Sequence, residues 1–478
     1  MVYVHSGDRN PVKCRALLDT GSTANFISES IISRLGIQAD AHSLPISGIN
    51  ATSSESKGWV LAGSTTLNDS PKSFLCGLTS LESQIAKFWT IEEITTIKPK
   101  SEEEIKCEAH FVKNTIRDIT GRYVVRLPFR ESINRLGDSQ TVALKRFSAL
   151  ERKFHGNESM KNEYTRVMDE YISLGHMSVV KNPDDVGFYM PHHAVVKESS
   201  CTTKLRVVVD ASAKSNNNTS LNDLLMTGPT IQDTLFAYLI RFRKYRYVIT
   251  ADIEKMYRQV LVHEDDRRFQ RILWRKAGKI ETFQLNTLTF GVSSSPFLAI
   301  RTIQKLADDE CYIYPRAAEV LKNHLYVDDL LSGAETLKEI RKIRDDIIAL
   351  LKKGGFAIRQ WASNNSRAID DLSDNALHAN FVLDGDYSLK TLGISWSTRD
   401  DKICYTTQPI KITGMVTKRK ILSEIAKLFD PLGLLGPVIL HANRLMQDVW
   451  RCGTHWDESV PQSLHTEWSE FVQQLDSI

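Results

Sequence analysis

The 478-residue chain has no long apolar run, and its cysteines are few and scattered. No segment approaches the ~20 consecutive apolar residues that a membrane-spanning helix needs. The N-terminus, MVYVHSGDRN, lacks the apolar core of a signal peptide. The seven cysteines show neither zinc-ligand nor redox-motif spacing. We therefore expect no membrane partner, and we expect free thiols in a reducing compartment such as the cytoplasm.

Charge is nearly balanced over the whole chain but not within it. The formal net charge is +3, yet residues 241–280 contain twelve Lys/Arg and five Asp/Glu, a local balance of +7. Aromatic residues alternate with the basic ones in RFRKYRY (241–247) and RRFQRILWRK (267–276). This pattern suits a groove that binds nucleic acid. It is also typical of a solvated basic surface, and the charge pattern alone leaves both interpretations open.

An adjacent pair of aspartates stands inside an apolar segment, HLYVDDLLSG (324–333). Two like charges ~4 Å apart repel by roughly 4 kcal/mol even at an effective dielectric near 20, so Asp328 and Asp329 need compensation. A divalent ion provides it, and a third carboxylate, Asp252, follows another predicted strand in VITADIEKMY (248–257). Two ions held there would serve phosphoryl transfer. A turn with two solvated aspartates is the alternative, and the spacing does not distinguish a polymerase from another two-metal enzyme.

Motifs in a particular order extend this interpretation. The segments LRVVVDAS (205–212), TADIEKMY (250–257), FGVSSSPF (290–297) and YVDD (326–329) resemble the fingers strand, first metal-binding motif, template- and nucleotide-positioning segment and central motif of reverse transcriptases. Three further segments, KKGGFAIRQWASN (352–364), LKTLGISW (389–396) and KRKILSEIAKLFDPLGLLGPV (418–438), are similar to the polymerase region of BEL/Pao-type retrotransposons. The resemblance covers about residues 85–478.

The resemblance implies a catalytic centre that uses two Mg²⁺ (or Mn²⁺) ions. Asp252, Asp328 and Asp329 would be catalytic, and Asp252, Ile253 and Asp328 would contact metal. The primer 3′-hydroxyl would attack the α-phosphorus of a deoxynucleoside triphosphate in line, and pyrophosphate would leave. The implied partners are an RNA or DNA template with its primer and deoxynucleoside triphosphates.

The resemblance also implies a set of substrate-binding residues. Tyr257 would lie under the sugar and exclude a 2′-hydroxyl, although a core tyrosine is the alternative. Arg206 would bind phosphate oxygens through its planar guanidinium, with Lys197 as a second cation. Gly291 would let the backbone approach the nucleotide closely.

A second motif, ALLDTGSTANFIS (16–28), resembles the active-site turn of retroviral-type aspartic proteases. Such enzymes pair two copies of the turn, whose carboxylates share a proton. Asp19 would be the acid/base, Thr20 would lock the turn and Gly21 would permit its geometry. No convincing flap or later strand–helix pair follows. We therefore expect a truncated segment without peptidase activity.

The expected fold is α+β, a right-hand polymerase preceded by a truncated β-rich segment. The expected divisions are a partial retropepsin-like segment (1–80), an acidic linker and lead-in (81–140), fingers (141–245), palm (246–375) and a thumb or connection of Pao type (376–478). The expected location is the cytoplasm, a virus-like particle or the nucleus. The alternative functions are a nucleic-acid-binding remnant without catalysis and an aspartic endopeptidase acting through Asp19.

Overall fold

The computed structural model describes residues 99–181, 186–196, 205–378, 388–404 and 414–475, together with the backbone of four strands before residue 61. The chain divides into two compact units, Met1–Pro99 and Lys100–Ile478. In the first unit, strand β1 (Val2–Val4) pairs antiparallel with β2 (Val12–Cys14), and β3 (Asp40–Ser47) pairs antiparallel with β4 (Ser53–Val60). The predicted protease-like residues Asp19, Thr20 and Gly21 lie outside the described residues.

The second unit mixes helices with mainly antiparallel strands, so the α+β expectation is confirmed. Its described strands are β5 Ile116–Arg117, β6 Tyr123–Val125, β7 Met177–Val179, β8 His192–Val196, β9 Leu205–Val209, β10 Tyr247–Ile253, β11 Leu261–Val262, β12 Arg271–Lys276, β13 Lys279–Leu285, β14 Leu325–Tyr326, β15 Asp329–Ala334, β16 Ile358–Ser363, β17 Ser388–Thr391, β18 Ile394–Ser397 and β19 Lys402–Cys404. Its described helices are α1 Glu102–Asn114, α2 Gln140–His155, α3 Glu158–Ser173, α4 Leu221–Leu224, α5 Leu235–Phe242, α6 Met256–Gln259, α7 Glu264–Arg267, α8 Ser295–Glu310, α9 Pro315–Asn323, α10 Leu337–Lys353, α11 Lys418–Ile425, α12 Gly436–Arg451 and α13 Gln462–Leu475.

A four-stranded antiparallel sheet, in the order β14-β15-β10-β16, forms the centre of the second unit. Its middle strand β10 alternates between two faces, as a strand must. Ile249, Ala251 and Ile253 belong to the main hydrophobic core, which also contains buried residues of α8, α9 and α10. Val248, Thr250 and Asp252 alternate with these residues and therefore lie on the second face of the sheet. On that face Val248 belongs to a smaller core. We call this second face the site face.

The segment before residue 140 is folded where the structure describes it. Helix α1 begins with a capping box between Ser101 and Glu104, and it buries Cys107 and Phe111. These two residues and Tyr123 of β6 belong to the main core. Strand β6 also pairs in parallel with β11. The segment predicted as acidic linker and lead-in (81–140) thus contains a packed helix, because apolar residues among the acidic ones are buried by elements distant in sequence. The division itself stays a prediction.

The region predicted as fingers contains two packed helices and strands of two separate sheets, one of which also takes β12 and β13 from the region predicted as palm. Helices α2 and α3 are separate because Gly156 ends the first and the Asn157 side chain caps the second. Strand β8 pairs with β9, and β12, β13 and β7 form a three-stranded sheet. A buried aromatic cluster joins these elements, and it contains Phe147, Phe154, Tyr164, His192 and Trp274. Helix α5, at the end of the predicted fingers, instead packs on the central sheet through Leu239 and Phe242.

The C-terminal part contains a small sheet and a helical group. Strands β17, β18 and β19 form an antiparallel sheet that places Leu389, Ile394 and Trp396 in the smaller core, against Val248 and Leu331 of the central sheet. Helices α11, α12 and α13 have a hydrophobic core of their own. Within the described parts of the chain, no helix combines the length and the apolar character that crossing a membrane requires.

Candidate active site

The three predicted catalytic aspartates meet at one end of the central sheet. Asp252 near the end of β10 is the register partner of Asp329 at the start of β15. Asp328 lies in the two-residue turn between β14 and β15, where Tyr326 pairs with Asp329. The amide of Ile253 donates a hydrogen bond to the Asp328 carbonyl over 2.9 Å, which ties this turn to the end of β10. Residues far apart in sequence are thus adjacent because the strands pair antiparallel.

The turn that carries Asp328 has an unusual backbone. Val327, its first residue, has a φ of +55°, a conformation that is an outlier for a β-branched side chain. Such strain costs of the order of 1–3 kcal/mol and persists only where surrounding contacts hold it. Gln232 supplies such contacts, because its Oε1 accepts from the Val327 amide (3.3 Å) and its Nε2 donates to the Leu325 carbonyl (2.8 Å). Sequence reasoning missed Gln232, since no motif includes it.

Burial and mutual repulsion change the acidity of the cluster. Burial, followed by the charge of Asp328, raises the pKa of Asp252 to about 6. Burial and the charges of Asp328 and Asp252 raise the pKa of Asp329 to about 7. Burial also raises the pKa of Asp328. The carboxylates therefore lie close enough to repel one another at a poorly solvated position. A bound cation would offset this repulsion and favour their ionised forms.

The donor set fits a divalent ion that takes its remaining ligands from substrate. Carboxylate oxygens suit Mg²⁺, which is usually held by one or two carboxylates together with substrate phosphates. In the described residues, no group of three or more acidic, histidine or cysteine side chains is arranged to hold a metal ion. Ile253 has a side chain that is fully buried in the main core, so the metal contact predicted for it is restricted to its main-chain carbonyl.

Tyr257 lies beside the carboxylates on the short helix α6. Its side chain is buried, and burial and the charge of Asp328 raise the pKa of its hydroxyl to about 12. The ring packs against Phe290, with the two ring centroids 4.5 Å apart and the planes at 44°. Phe290 is itself 41% exposed. The buried ring of Tyr257 and the partly exposed ring of Phe290 thus pack together beside the carboxylates. The role of Tyr257 in sugar selection remains a prediction.

Arg206 reaches the same site from strand β9. It is exposed, and its charge lowers the pKa of both Asp252 and Asp328. A guanidinium at this position could bind the phosphates of a ligand, while the nearby carboxylates help to hold the same ligand. Lys197, the second predicted cation, lies outside the described residues.

Gly291 is required by the protein's own backbone. Its φ is +103°, and a Cβ atom at this position would lie 1.9 Å from the Val209 carbonyl oxygen. Asn222 donates to the Gly291 carbonyl (3.0 Å) and accepts from the Ser293 amide (2.9 Å). The structure thus shows a close approach of Gly291 to β9, and the approach to a nucleotide that the resemblance implies stays a prediction. Gly291 positions the strand that carries Arg206.

Much of the basic charge between residues 241 and 280 is neutralised within the chain. Ion pairs join four of these arginines to acidic partners, namely Arg241–Asp233, Arg243–Asp401, Arg258–Glu170 and Arg275–Glu151. The local balance of +7 therefore overstates the charge that this segment offers to a ligand. The clustered basic residues support the folded structure at least as much as they support a binding groove.

A pH-dependent stability difference is expected from Asp252. A carboxyl group whose pKa is raised from 3.8 to about 6 binds its proton more tightly in the folded state, so its contribution to stability falls as pH rises from about 4 to 6. In EDTA, Asp252→Asn should therefore gain about 3 kcal/mol in the free energy of unfolding relative to wild type between pH 4 and pH 8. Urea unfolding at both pH values measures this. A difference that does not change with pH would contradict the prediction.

Comparisons with known protein families match two parts of the second unit. Residues 197–364 match the family described as reverse transcriptase (RNA-dependent DNA polymerase). Residues 417–477 match the family described as Pao retrotransposon-like RNaseH-like domain. No curated protein is similar enough in sequence to the chain to count as a relative.

Among solved structures, the chain is similar to one described as the foamy viral protease-reverse transcriptase dRH in complex with ds DNA. The identity is 14%, the alignment covers 96% of this chain and 74% of that chain, and the TM-score is 0.45. The first family match contains β9, β10, β14, β15 and β16, and with them Arg206 and all three aspartates. The second contains α11, α12 and α13, and it overlaps the predicted thumb or connection, whose assignment stays a prediction.

Proposed function

We propose that this chain, whose residues 197–364 are a reverse transcriptase domain, extends a primer by two-metal nucleotidyl transfer on an RNA or DNA template. The chain is an RNA-directed DNA polymerase with a Pao retrotransposon-like segment after the polymerase domain. The observation that carries the mechanism is the meeting of Asp252, Asp328 and Asp329 at the end of the central sheet. Because their pKa values are raised by burial and by one another, this end of the sheet favours cations.

The site residues divide the reaction between them. Asp252 and Asp328 would hold divalent ions, which we propose to be Mg²⁺, and such ions acidify the primer hydroxyl and neutralise phosphate charge. Arg206 would bind the triphosphate from the β9 side. Tyr257 and Phe290 would form the surface against which the sugar packs. The strained Val327 turn keeps the Asp328 backbone fixed through Gln232, so little reorganisation is needed when substrate binds.

Nucleic acid is the proposed macromolecular partner, and deoxynucleoside triphosphates are the proposed small substrates. The foamy viral chain to which this one is similar is described in complex with double-stranded DNA. A primer-extension assay with matched RNA and DNA templates, with and without Mg²⁺, tests the proposal. We expect metal-dependent extension on both templates. Binding of primed template without extension would instead support the alternative of a catalytically decayed nucleic-acid-binding remnant.

For the N-terminal segment we propose a truncated retropepsin-like remnant, located with the polymerase in the cytoplasm, a virus-like particle or the nucleus. The proposal rests on the motif at Asp19, Thr20 and Gly21 and on the missing later segments. An aspartic protease needs two supported carboxylates that share a proton, one to activate water and one to protonate the leaving amine.

Asp19→Asn should therefore leave both peptide cleavage and primer extension unchanged. The purified wild-type chain and the variant would be compared by mass spectrometry of self-cleavage and of peptide cleavage at pH 4–7, and by extension rates. Wild-type cleavage with an acid optimum that disappears in Asp19→Asn would show that the protein is bifunctional.

A further inference from the structure

Arg359 on strand β16 lies in the segment KKGGFAIRQWASN (352–364), but the sequence alone predicts no role for it in the site. Strand β16 borders β10 on the side away from β15, and Arg359 is the register partner of Asp252. Because directly opposed residues on neighbouring strands point to the same face, Asp329, Asp252 and Arg359 form one row across the site face. The charge of Arg359 lowers the pKa of Asp252, as does that of Arg206. Two arginines from different elements thus act on one catalytic carboxylate.

A β-bulge is what turns Arg359 toward the site. Ile249 pairs with Ser363 and Thr250 with Ala362, so regular pairing would place Gln360 opposite Asp252. The register shifts between Thr250 and Asp252, and Arg359 takes that place instead. Gln360 has a φ of +58°, a strained value for a side chain of this kind. Without the extra residue Arg359 would point to the other face of the sheet, since side chains alternate. Bulges beside active sites commonly re-aim a side chain in this way.

The hydrogen bonds of Arg359 are incomplete. Its Nη2 lies 2.9 Å from Oε1 of Glu254, and its side chain is 40% exposed. Its Nε is buried and has no hydrogen-bond partner among the described residues. A guanidinium offers five donors, and an unpartnered buried donor is costly. The ion pair with Glu254 therefore uses only part of what Arg359 can donate. A phosphate group can accept two parallel N–H bonds from one guanidinium, whereas Glu254 accepts through one Nη2 contact here.

We propose that Arg359 binds the β- and γ-phosphates of the incoming nucleotide, on the side of Asp252 opposite to Asp329. Before the nucleotide binds, Arg359 is paired with Glu254. The inference rests on the proposed polymerase function. The position favours the nucleotide as partner, because Glu254 lies on the segment that runs from Asp252 to Tyr257, the proposed sugar-binding residue. After transfer, the same contact would hold the leaving pyrophosphate.

Arg359→Gln is expected to raise the KM for deoxynucleoside triphosphates about tenfold, the loss of one charge-assisted phosphate contact. The KM for pyrophosphate in the reverse reaction should rise similarly, with little change in kcat and none in primer–template affinity. Arg359→Lys should be intermediate, because an ammonium keeps the charge but cannot bind in a bidentate manner. The matched control is Arg341→Gln. Arg341 lies on α10, its side chain is 38% exposed, and it pairs with Asp370.

Equilibrium binding of a fluorescent deoxynucleoside triphosphate provides a readout that does not depend on turnover. Weaker binding by Arg359→Gln, with wild-type binding by Arg341→Gln, supports the inference. Unchanged binding, or weaker primer–template binding instead, would overturn it. This measurement decides the role of Arg359 even if the wild-type chain extends no primer, an outcome that would contradict the proposed function alone.

Discussion

Asp252→Asn is expected to lower the rate of primer extension by about a thousandfold or more. The variant keeps the size of the side chain and removes the negative charge that holds divalent ions beside Asp328 and Asp329. Metal-dependent charge stabilisation contributes several kcal/mol to such reactions, and each ~1.4 kcal/mol is a factor of ten in rate. Single-turnover extension of a labelled primer at saturating nucleotide measures the effect.

The loss should not come from unfolding. Since burial and like charges disfavour the ionised form of Asp252, its replacement by asparagine should leave the fold as stable as before or more so at neutral pH. Primer–template binding should persist, and Asp374→Asn, a change at an exposed aspartate, should extend primers normally. Near-normal extension by a folded Asp252→Asn variant would rule out the two-metal site at this end of the sheet.

Tyr257→Ala is expected to allow ribonucleotides into the growing strand. The ring is buried beside Asp328 and packs on Phe290, so it occupies the volume under the proposed sugar position. Removing it opens space for a 2′-hydroxyl while the carboxylates remain. We expect the preference for deoxy- over ribonucleotides to fall by about a hundredfold, equivalent to ~3 kcal/mol of lost discrimination. The ratio of kcat/KM for dATP and ATP on one template measures it.

Truncating a buried tyrosine also has a structural cost. Large aromatic-to-alanine changes in a core typically cost about 3–5 kcal/mol of stability, so the variant must be shown to be folded at the assay temperature. Tyr257→Phe keeps the ring and should keep the discrimination. Tyr312→Ala, at a position that is 96% exposed, controls for loss of a tyrosine elsewhere. Unchanged discrimination in a folded Tyr257→Ala variant would mean that Tyr257 is a core residue only.

The main catalytic candidates could be found without coordinates because their signals are local. Asp328 and Asp329 are adjacent in sequence and stand inside an apolar segment, where unpaired charges are costly, and Asp252 lies near the end of a predicted apolar strand. These patterns depend on neighbours within a few residues. The family match over residues 197–364 confirms the reverse transcriptase domain that the same motifs indicated.

Other features could not be predicted from the sequence, because the residues that contact them are remote along the chain. The acidic residues of 102–108 suggested a solvated linker, yet Cys107 and Phe111 of the same helix are buried in the main core. The basic residues near 241–280 left a binding groove and a solvated surface both open, and several of them are paired with acids that no local pattern could identify. At Gly291 the structure adds a close approach to the Val209 carbonyl, a partner remote in sequence, while the predicted approach to a nucleotide stays a prediction.

The sequence by itself determined where the charged residues of the site stand relative to strand ends, because strand and turn preferences act between near neighbours. Only the tertiary structure decided which of those residues meet. The pairing of Asp252 with Asp329, the support of the Val327 turn by Gln232 and the bulge that turns Arg359 to the site face depend on strand register. Register reverses the face of a side chain with a shift of one residue, and it is set by packing across the whole sheet rather than by neighbours along the chain.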